Sequence, residues 1–252
     1  MKRFTLIFLF LFQFPISVSA SQNNNIRVIF SSYTQPYVFE NGTGIVVDIV
    51  KESLELSGYK VIPIFLPIGR GFKMFEQRQV EATSIIKKSS GLKNAYYSDY
   101  FMQYHNYAIT RKDGPRVEAL SDLAYLDIVA FQNASLYLGK LFGEMVKVNK
   151  NYKELANQEI QTLMLLNGRT QVAVMDEAIF KYFRNKLIAA GRVKGKGEVV
   201  FNDIFKASKY RTAFIDKQVK DDFNKGLKIL HNKGRYKEIY NYYIKQYFTI
   251  RQ

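Results

Sequence analysis

The feature that most restricts this chain is an alternation of short apolar runs and helical stretches that begins near residue 26, breaks once, and begins again. "IRVIF" (26–30) is a β-rich run that feeds the turn-rich "SSYTQPYVFENGTG". A helix fits Val47 to Ser57, because Val47, Val50 and Leu54 share a face. Asp48 and Glu52 lie in its first turns, where the helix dipole favours anions, and Gly58 supplies the stop. "KVIPIF" is the next strand, with Pro63 marking an edge or a bulge. A short helix around Arg70 to Gln77 precedes the strand "VEATSII". This β-α-β-α-β order calls for a parallel sheet covered by helices.

"YAIT" (107–110) is a further strand and "RKDGPR" a break, after which the pattern restarts at "DIVAF" (127–131). Helices are expected over Leu136 to Val146 and Tyr152 to Leu166, then a turn at Asn167-Gly168, the strand "QVAVM", and a helix from Glu177 to about Ala189. "EVVFN" and "TAFI" are strands flanking a return crossing. The chain ends in helical sequence from Lys217 to His231, a break at Gly234, and a Tyr-rich helix from Arg235 to Tyr247. Two segments, "FKMFEQRQVEATSII" and "LMLLNGRTQVAVMD", both run apolar helix, polar turn, apolar strand. They are too short to be called a repeat, but they suggest two α/β lobes built on one plan. Ligands of open parallel sheets bind outside the carboxyl ends of strands, so two facing lobes define a shared cleft.

Composition narrows the setting. Lys2 and Arg3 precede "FTLIFLFLFQFPI" and then "SVSA", with Val18 and Ala20 at the small-residue positions of a cleavage site, which is the grammar of a secretory signal peptide. No Cys occurs, so packing without disulfides must hold the exported protein together, and no Cys is present to carry a lipid. The formal charge is +15, with a concentration at Lys181, Arg184, Lys186, Arg192, Lys194 and Lys196. Such a run reads either as a solvated basic face or as an attraction for anionic partners. No nucleic-acid motif accompanies it. His105 and His231 stand alone, without His or Cys at ligand spacing, so neither a metal nor a cofactor is expected.

Five segments, taken in order, carry a resemblance: "PYVFENGTGIVVDIVKESLELSGYKV", "YYSDYF", "SDLAYLDIVAFQNASLYLGKLF", "LLNGRTQVAVMDEAIFKYF" and "VKDDFNKGLKILHNKGRYKEIYNYYI". Together they resemble the bacterial extracellular solute-binding proteins of family 3, the polar amino acid type, and the likeness covers nearly all of the chain after the leader. The resemblance implies an α/β chain with the two-lobed type II periplasmic-binding-protein fold and a ligand cleft between the lobes. The division it implies is a signal peptide over 1–20, lobe 1 over 21–111 and 203–252, and lobe 2 over 112–202. The crossings would lie near Arg111 to Pro115 and Asn202 to Arg211.

Seven residues are candidates for ligand contact. Tyr33 and Tyr37, after the first strand, offer an aromatic wall or are core tyrosines at a tight turn. Arg70, in "GRGF", resembles an Arg of a family subset and is suited to forking onto a carboxylate; it also reads as a surface Arg. Thr83 and Ser84 are hydrogen-bond candidates at the end of the third strand. No Arg occurs between Arg78 and Arg111, where the family usually clamps an α-carboxylate, and Lys87 or Lys88 would supply only a point charge. Ser135 matches a lobe-2 helix N-terminus whose backbone N–H groups favour an anion, or is an ordinary cap. Asp176 matches the family's carboxylate for a ligand ammonium and is also a good cap for the helix at Glu177; one oxygen can do each.

The function expected from this resemblance is periplasmic capture of a small polar solute, an amino acid or a related molecule, by a monomer that delivers it to an ABC importer permease or a sensor, without chemistry. Two rivals stand beside it. One is an enzyme resembling cyclohexadienyl dehydratases, with Glu177 or Glu81 as the acid; the other is a cationic envelope protein that binds anionic polymers.

Overall fold

The computed structural model describes residues 24–248 apart from 194 and 196. The expected signal peptide therefore lies outside the described residues. Lobe 1 is built from β1 (Asn25–Ser31), α1 (Ile45–Glu55), β2 (Lys60–Leu66), α2 (Ile68–Glu76), β3 (Ala82–Ile86), and the short β4 (Tyr96–Tyr97) and β5 (Met102–Tyr104). Lobe 2 holds β6 (Asn106–Arg111), β7 (Ile128–Phe131), α3 (Ala134–Tyr137), α4 (Lys140–Val148), β8 (Tyr152–Leu155), α5 (Gln158–Leu166), β9 (Val172–Asp176), α6 (Glu177–Ala189) and β10 (Val199–Asn202). The chain then returns to lobe 1 through β11 (Ser208–Phe214), α7 (Lys217–Asn232) and α8 (Arg235–Phe248).

The two sheets share one plan. In lobe 1 the order is β2-β1-β3-β11-β4, with β5 also on β11; in lobe 2 it is β10-β6-β9-β7-β8. Each has three parallel strands, β2-β1-β3 and β8-β7-β9, closed by one antiparallel strand, β11 or β6. Period-two alternation gives every central strand two apolar faces. Val28 and Phe30 of β1 meet Leu54 of α1 and Phe223 of α7, while Ile29 faces Phe75 and Val80 on the opposite side. In lobe 2, Val172 and Val174 of β9 meet Phe142 of α4, and Ala173 and Met175 meet Phe180 of α6. Pro63 is tolerated because β2 is an edge strand.

Three expectations need correction. The first crossing lies at His105, between β5 and β6, and not near Arg111 to Pro115. The "YAIT" strand pairs with β9 and β10, so lobe 2 begins at about Asn106 rather than at residue 112. Propensity along the strand cannot reveal its sheet, because both lobes offer it an apolar face. The helix expected over Tyr152 to Leu166 is a strand, Tyr152–Leu155, followed by a helix that starts after Asn157, whose side chain accepts from the Ile160 amide. Parallel pairing with β7 overrides the helical reading of "YKEL". The helix over Leu136 to Val146 is two short helices, broken at Gly139 with a φ of 102° that only glycine takes easily.

The tightest approach in lobe 1 is between α7 and α1. A Cβ on Gly226 would stand 1.9 Å from the Ser53 carbonyl oxygen. Gly226→Ala should destabilise the protein despite the roughly 1 kcal/mol gain in helix propensity, because the helices must part. A net loss of about 1–3 kcal/mol is expected, read as a lowered urea midpoint at unchanged slope.

Candidate functional site: an inter-lobe cavity around a buried carboxylate

Where the carboxyl ends of the parallel strands of both lobes meet, the closed molecule keeps a cavity of about 50 Å³. Ser31 at the end of β1, Ile85 in β3, Phe131 at the end of β7 and Asp176 at the end of β9 all line it. Lobe 1 and its return strand add Thr34, Ile68, Tyr104 and Tyr210; lobe 2 adds Asn106, Gln132, Tyr137 and Gln158. Ile85 holds a φ of 57°, a strained value for a β-branched residue, on this wall.

Asp176 is 3% exposed. Its Oδ1 accepts from the amides of Ala178 (2.9 Å) and Ile179 (3.2 Å), capping α6, and from the Tyr37 hydroxyl of lobe 1 at 3.2 Å. Its Oδ2 accepts from the His105 amide at 3.0 Å, in the first crossing. Among the described residues no Lys, Arg or His side chain forms an ion pair with it. Burial raises its pKa to about 6, against the pull of the amide donors. Asp176 therefore caps α6 and also lines the cavity. Asn106, opposite Asp176 in the β6–β9 register, and Tyr104 also line the cavity. Both are buried, and among the described residues neither Asn106 Nδ2 nor Tyr104 Oη has a hydrogen-bond partner.

The other six candidates stand outside the cavity lining. Tyr37 is one layer behind it, buried, with its ring 4.3 Å from that of Tyr104; its hydroxyl reaches Asp176. Tyr33 has a φ of 60° and packs on the apolar core. Arg70 is exposed on α2, while its neighbours Pro67 and Ile68 reach the cavity. Thr83 and Ser84 are buried inside β3, with the Ser84 hydroxyl donating to the Ile29 carbonyl.

The amide of Ser135 is already taken. It donates to Glu154 Oε1 at 2.9 Å, and the Asn133 amide donates to Glu154 Oε2 at 2.7 Å. The Tyr152 hydroxyl donates to the same carboxylate. The anion expected at this helix start is the protein's own, from the strand that sequence reasoning took for helix.

Contacts across the cleft hold the lobes together. Lys87, at the end of β3, donates to the Tyr137 carbonyl (2.7 Å) and to Ser208 Oγ (3.2 Å), and Ser90 Oγ lies 2.8 Å from the Tyr137 hydroxyl. Burial lowers the pKa of Lys87. Tyr182 of α6 sits between Phe39 (5.6 Å) and Tyr247 (5.1 Å) of lobe 1. At the crossings, His105 Nε2 is 2.8 Å from Asp203 Oδ1, so the two linking strands are themselves joined. The basic run is partly neutralised. Lys186 and Arg192 both reach Glu159, Lys181 pairs with Glu177, and Lys194 and Lys196 lie outside the described residues.

Sequence reasoning missed Tyr104, Asn106, Gln132, Tyr137, Gln158 and Tyr210. Gln132 was within reach, since it directly follows "DIVAF" at a strand's carboxyl end. Asn106 required the correct lobe for β6.

The Asp176 carboxyl binds its proton more tightly folded than unfolded, so stability falls as pH rises from about 4 to about 6 and is flat above. The loss is of the order of 2–3 kcal/mol. Asp176→Asn, which keeps an acceptor for the cap, should remove this slope in urea titrations between pH 4 and pH 7.

No protein-family model matches the chain, and no curated protein matches it by sequence. Solved structures do. An ancestral arginine-binding protein bound to arginine superposes with a TM-score of 0.72 at 18% identity, over 87% of this chain and 98% of that one. A histidine kinase sensor domain with similarity to periplasmic binding proteins gives 0.72 at 18%, over 87% and 96%. An ancestral amino acid-binding protein, a precursor of cyclohexadienyl dehydratase, gives 0.67 at 20%, over 87% and 95%. With two matching sheets, paired crossings and a cavity at the strand ends, the chain has the two-lobed type II periplasmic-binding fold, the fold of the amino acid-binding proteins it resembles.

Proposed function

We propose that this chain is an exported solute-binding protein of the family 3 type, which captures a small polar solute by closing its lobes about the His105 and Asn202–Ser208 crossings. Asp176 carries this reading. It is a buried carboxylate with no cationic side-chain partner among the described residues, placed at the strand ends where the lobes meet. A ligand ammonium seated there would supply the missing counter-charge. The arginine-bound relative supports a ligand of the amino acid class or a related molecule. The 50 Å³ cavity has room for only a few waters at ~10–15 Å³ each, so a solute enters as the lobes part. That is the hinge behaviour of periplasmic binding proteins.

An importer permease and a sensor are both consistent partners, since the relatives include a kinase sensor domain. Periplasmic delivery follows from the leader read in residues 1–20, and a monomer suffices because both halves of the cavity come from one chain. Among the described residues no helix is long and apolar enough to cross a membrane. A dehydratase reading finds little support. Glu177 is ion-paired with Lys181, and Glu81 with Arg27 at the start of β1, and neither lines the cavity.

A thermal-shift screen of amino acids, amines, organic acids and small sugars on the mature protein tests this reading. A saturable rise in Tm with at least one class is expected; no shift with any class, or turnover of prephenate or arogenate, overturns it. A cationic ligand should bind the ionised form of Asp176, so its affinity should fall roughly tenfold per pH unit below about 6 and level off above. Tyr182→Ala, which removes the aromatic clasp at the cleft's edge, should weaken ligand binding several-fold and enlarge the unliganded radius of gyration in solution scattering.

A further inference from the structure

The cavity has a place for a positive charge and none for a negative one. Among the described residues that line it, the ionisable groups are the Asp176 carboxyl and the tyrosine hydroxyls, with no Lys, Arg or His. Lys87 stands outside the lining, 6.0 Å from the Tyr137 ring centroid and 5.7 Å from that of Tyr210. Both rings belong to the cavity wall, and the Lys87 ammonium is committed to the Tyr137 carbonyl and Ser208 Oγ. The amides of Asn133 and Ser135, which a ligand carboxylate would need, are occupied by Glu154, itself fixed by the Tyr152 hydroxyl. A carboxylate brought into this cavity would be buried beside Asp176 without a cation or an unoccupied helix terminus.

An ammonium meets the opposite conditions. Asp176 offers charge, and the rings of Tyr104 and Phe131 add aromatic wall that suits a cation, while those of Tyr137 and Tyr210 already carry Lys87. Tyr104 and Asn106 line the cavity, and among the described residues the buried Tyr104 Oη and Asn106 Nδ2 have no hydrogen-bond partner, so a turn of either side chain as the lobes part would offer an acceptor to an ammonium. Gln132 and Gln158 add polar contacts for a hydroxyl or a second nitrogen. We infer that the solute is a protonated amine without a carboxylate, bound with its ammonium between Asp176, Tyr104 and Asn106. This inference rests on the solute-binding reading and narrows it to one chemical class.

Calorimetric titration of the mature protein with matched pairs that differ by the carboxylate tests it: agmatine and arginine, putrescine and ornithine, tyramine and tyrosine, ethanolamine and serine. At least one amine should bind saturably and more tightly than its amino acid by roughly tenfold or more. An amino acid that binds as well as its amine, or better, overturns the inference and leaves the solute-binding reading standing. So does saturable binding of an organic acid or a sugar while every amine fails. If none of these solutes binds, both fall. For an amine that binds, Asp176→Asn should weaken it by roughly 30-fold or more, and retained affinity in that variant overturns the assignment. Should the variant not fold, the matched pairs on the unaltered protein decide alone.

Discussion

The structure turns on a single buried carboxylate. Asp176 ends β9, caps α6, accepts the His105 amide of the first crossing, and receives the Tyr37 hydroxyl from the opposite lobe. Sheet, helix, hinge and cleft therefore meet at one side chain. Removing it from water costs free energy that three amides and a phenol only partly return, which is why its pKa remains raised. A counter-charge from a solute would relieve that cost most fully when the lobes are closed over it.

The two crossings make such closure possible without unfolding either lobe. They run side by side, β5 pairing with β11 below and β6 with β10 above, and the His105–Asp203 contact joins them between. Away from the hinge, the lobes meet through replaceable contacts: a lysine on a carbonyl, a serine beside a tyrosine, and a ring between two rings. Each is worth little alone in water-accessible surroundings. Closed and open arrangements can accordingly be close in free energy.

The electrostatics of the chain divide by depth. Among the described residues, Glu159 and Glu177 offset part of the chain's positive charge at Lys181, Lys186 and Arg192. The cavity lining carries the Asp176 carboxyl, with the Lys87 ammonium against two of its rings. Glu154 is also kept inside its own lobe, where it fills the start of α3 as an anionic ligand otherwise would. The resemblance implied a ligand contact at Ser135, whose amide instead donates to Glu154.

The sequence alone determined the α/β class and pointed to two lobes on one plan; in it Asp176 was a helix cap, and only the resemblance made it a candidate ligand contact. Strand and helix periods are local properties, and a carboxylate ending an apolar strand before a helix has few uses. The helix–turn–strand units ending at Ile86 and Asp176 do occupy equivalent places in the two lobes. Only the tertiary structure decided which sheet takes "YAIT", that "YKEL" is a strand, and which side chains face the cleft. Each depends on partners distant in sequence: β6 is fixed by β9, β8 by β7, and the fate of Ser135 by a glutamate nineteen residues on. Tyr104, Asn106 and Tyr210 look like ordinary strand residues in the sequence. They become cavity walls because the hinge strands pass between the lobes, and contact across a cleft leaves no period in the chain that forms it.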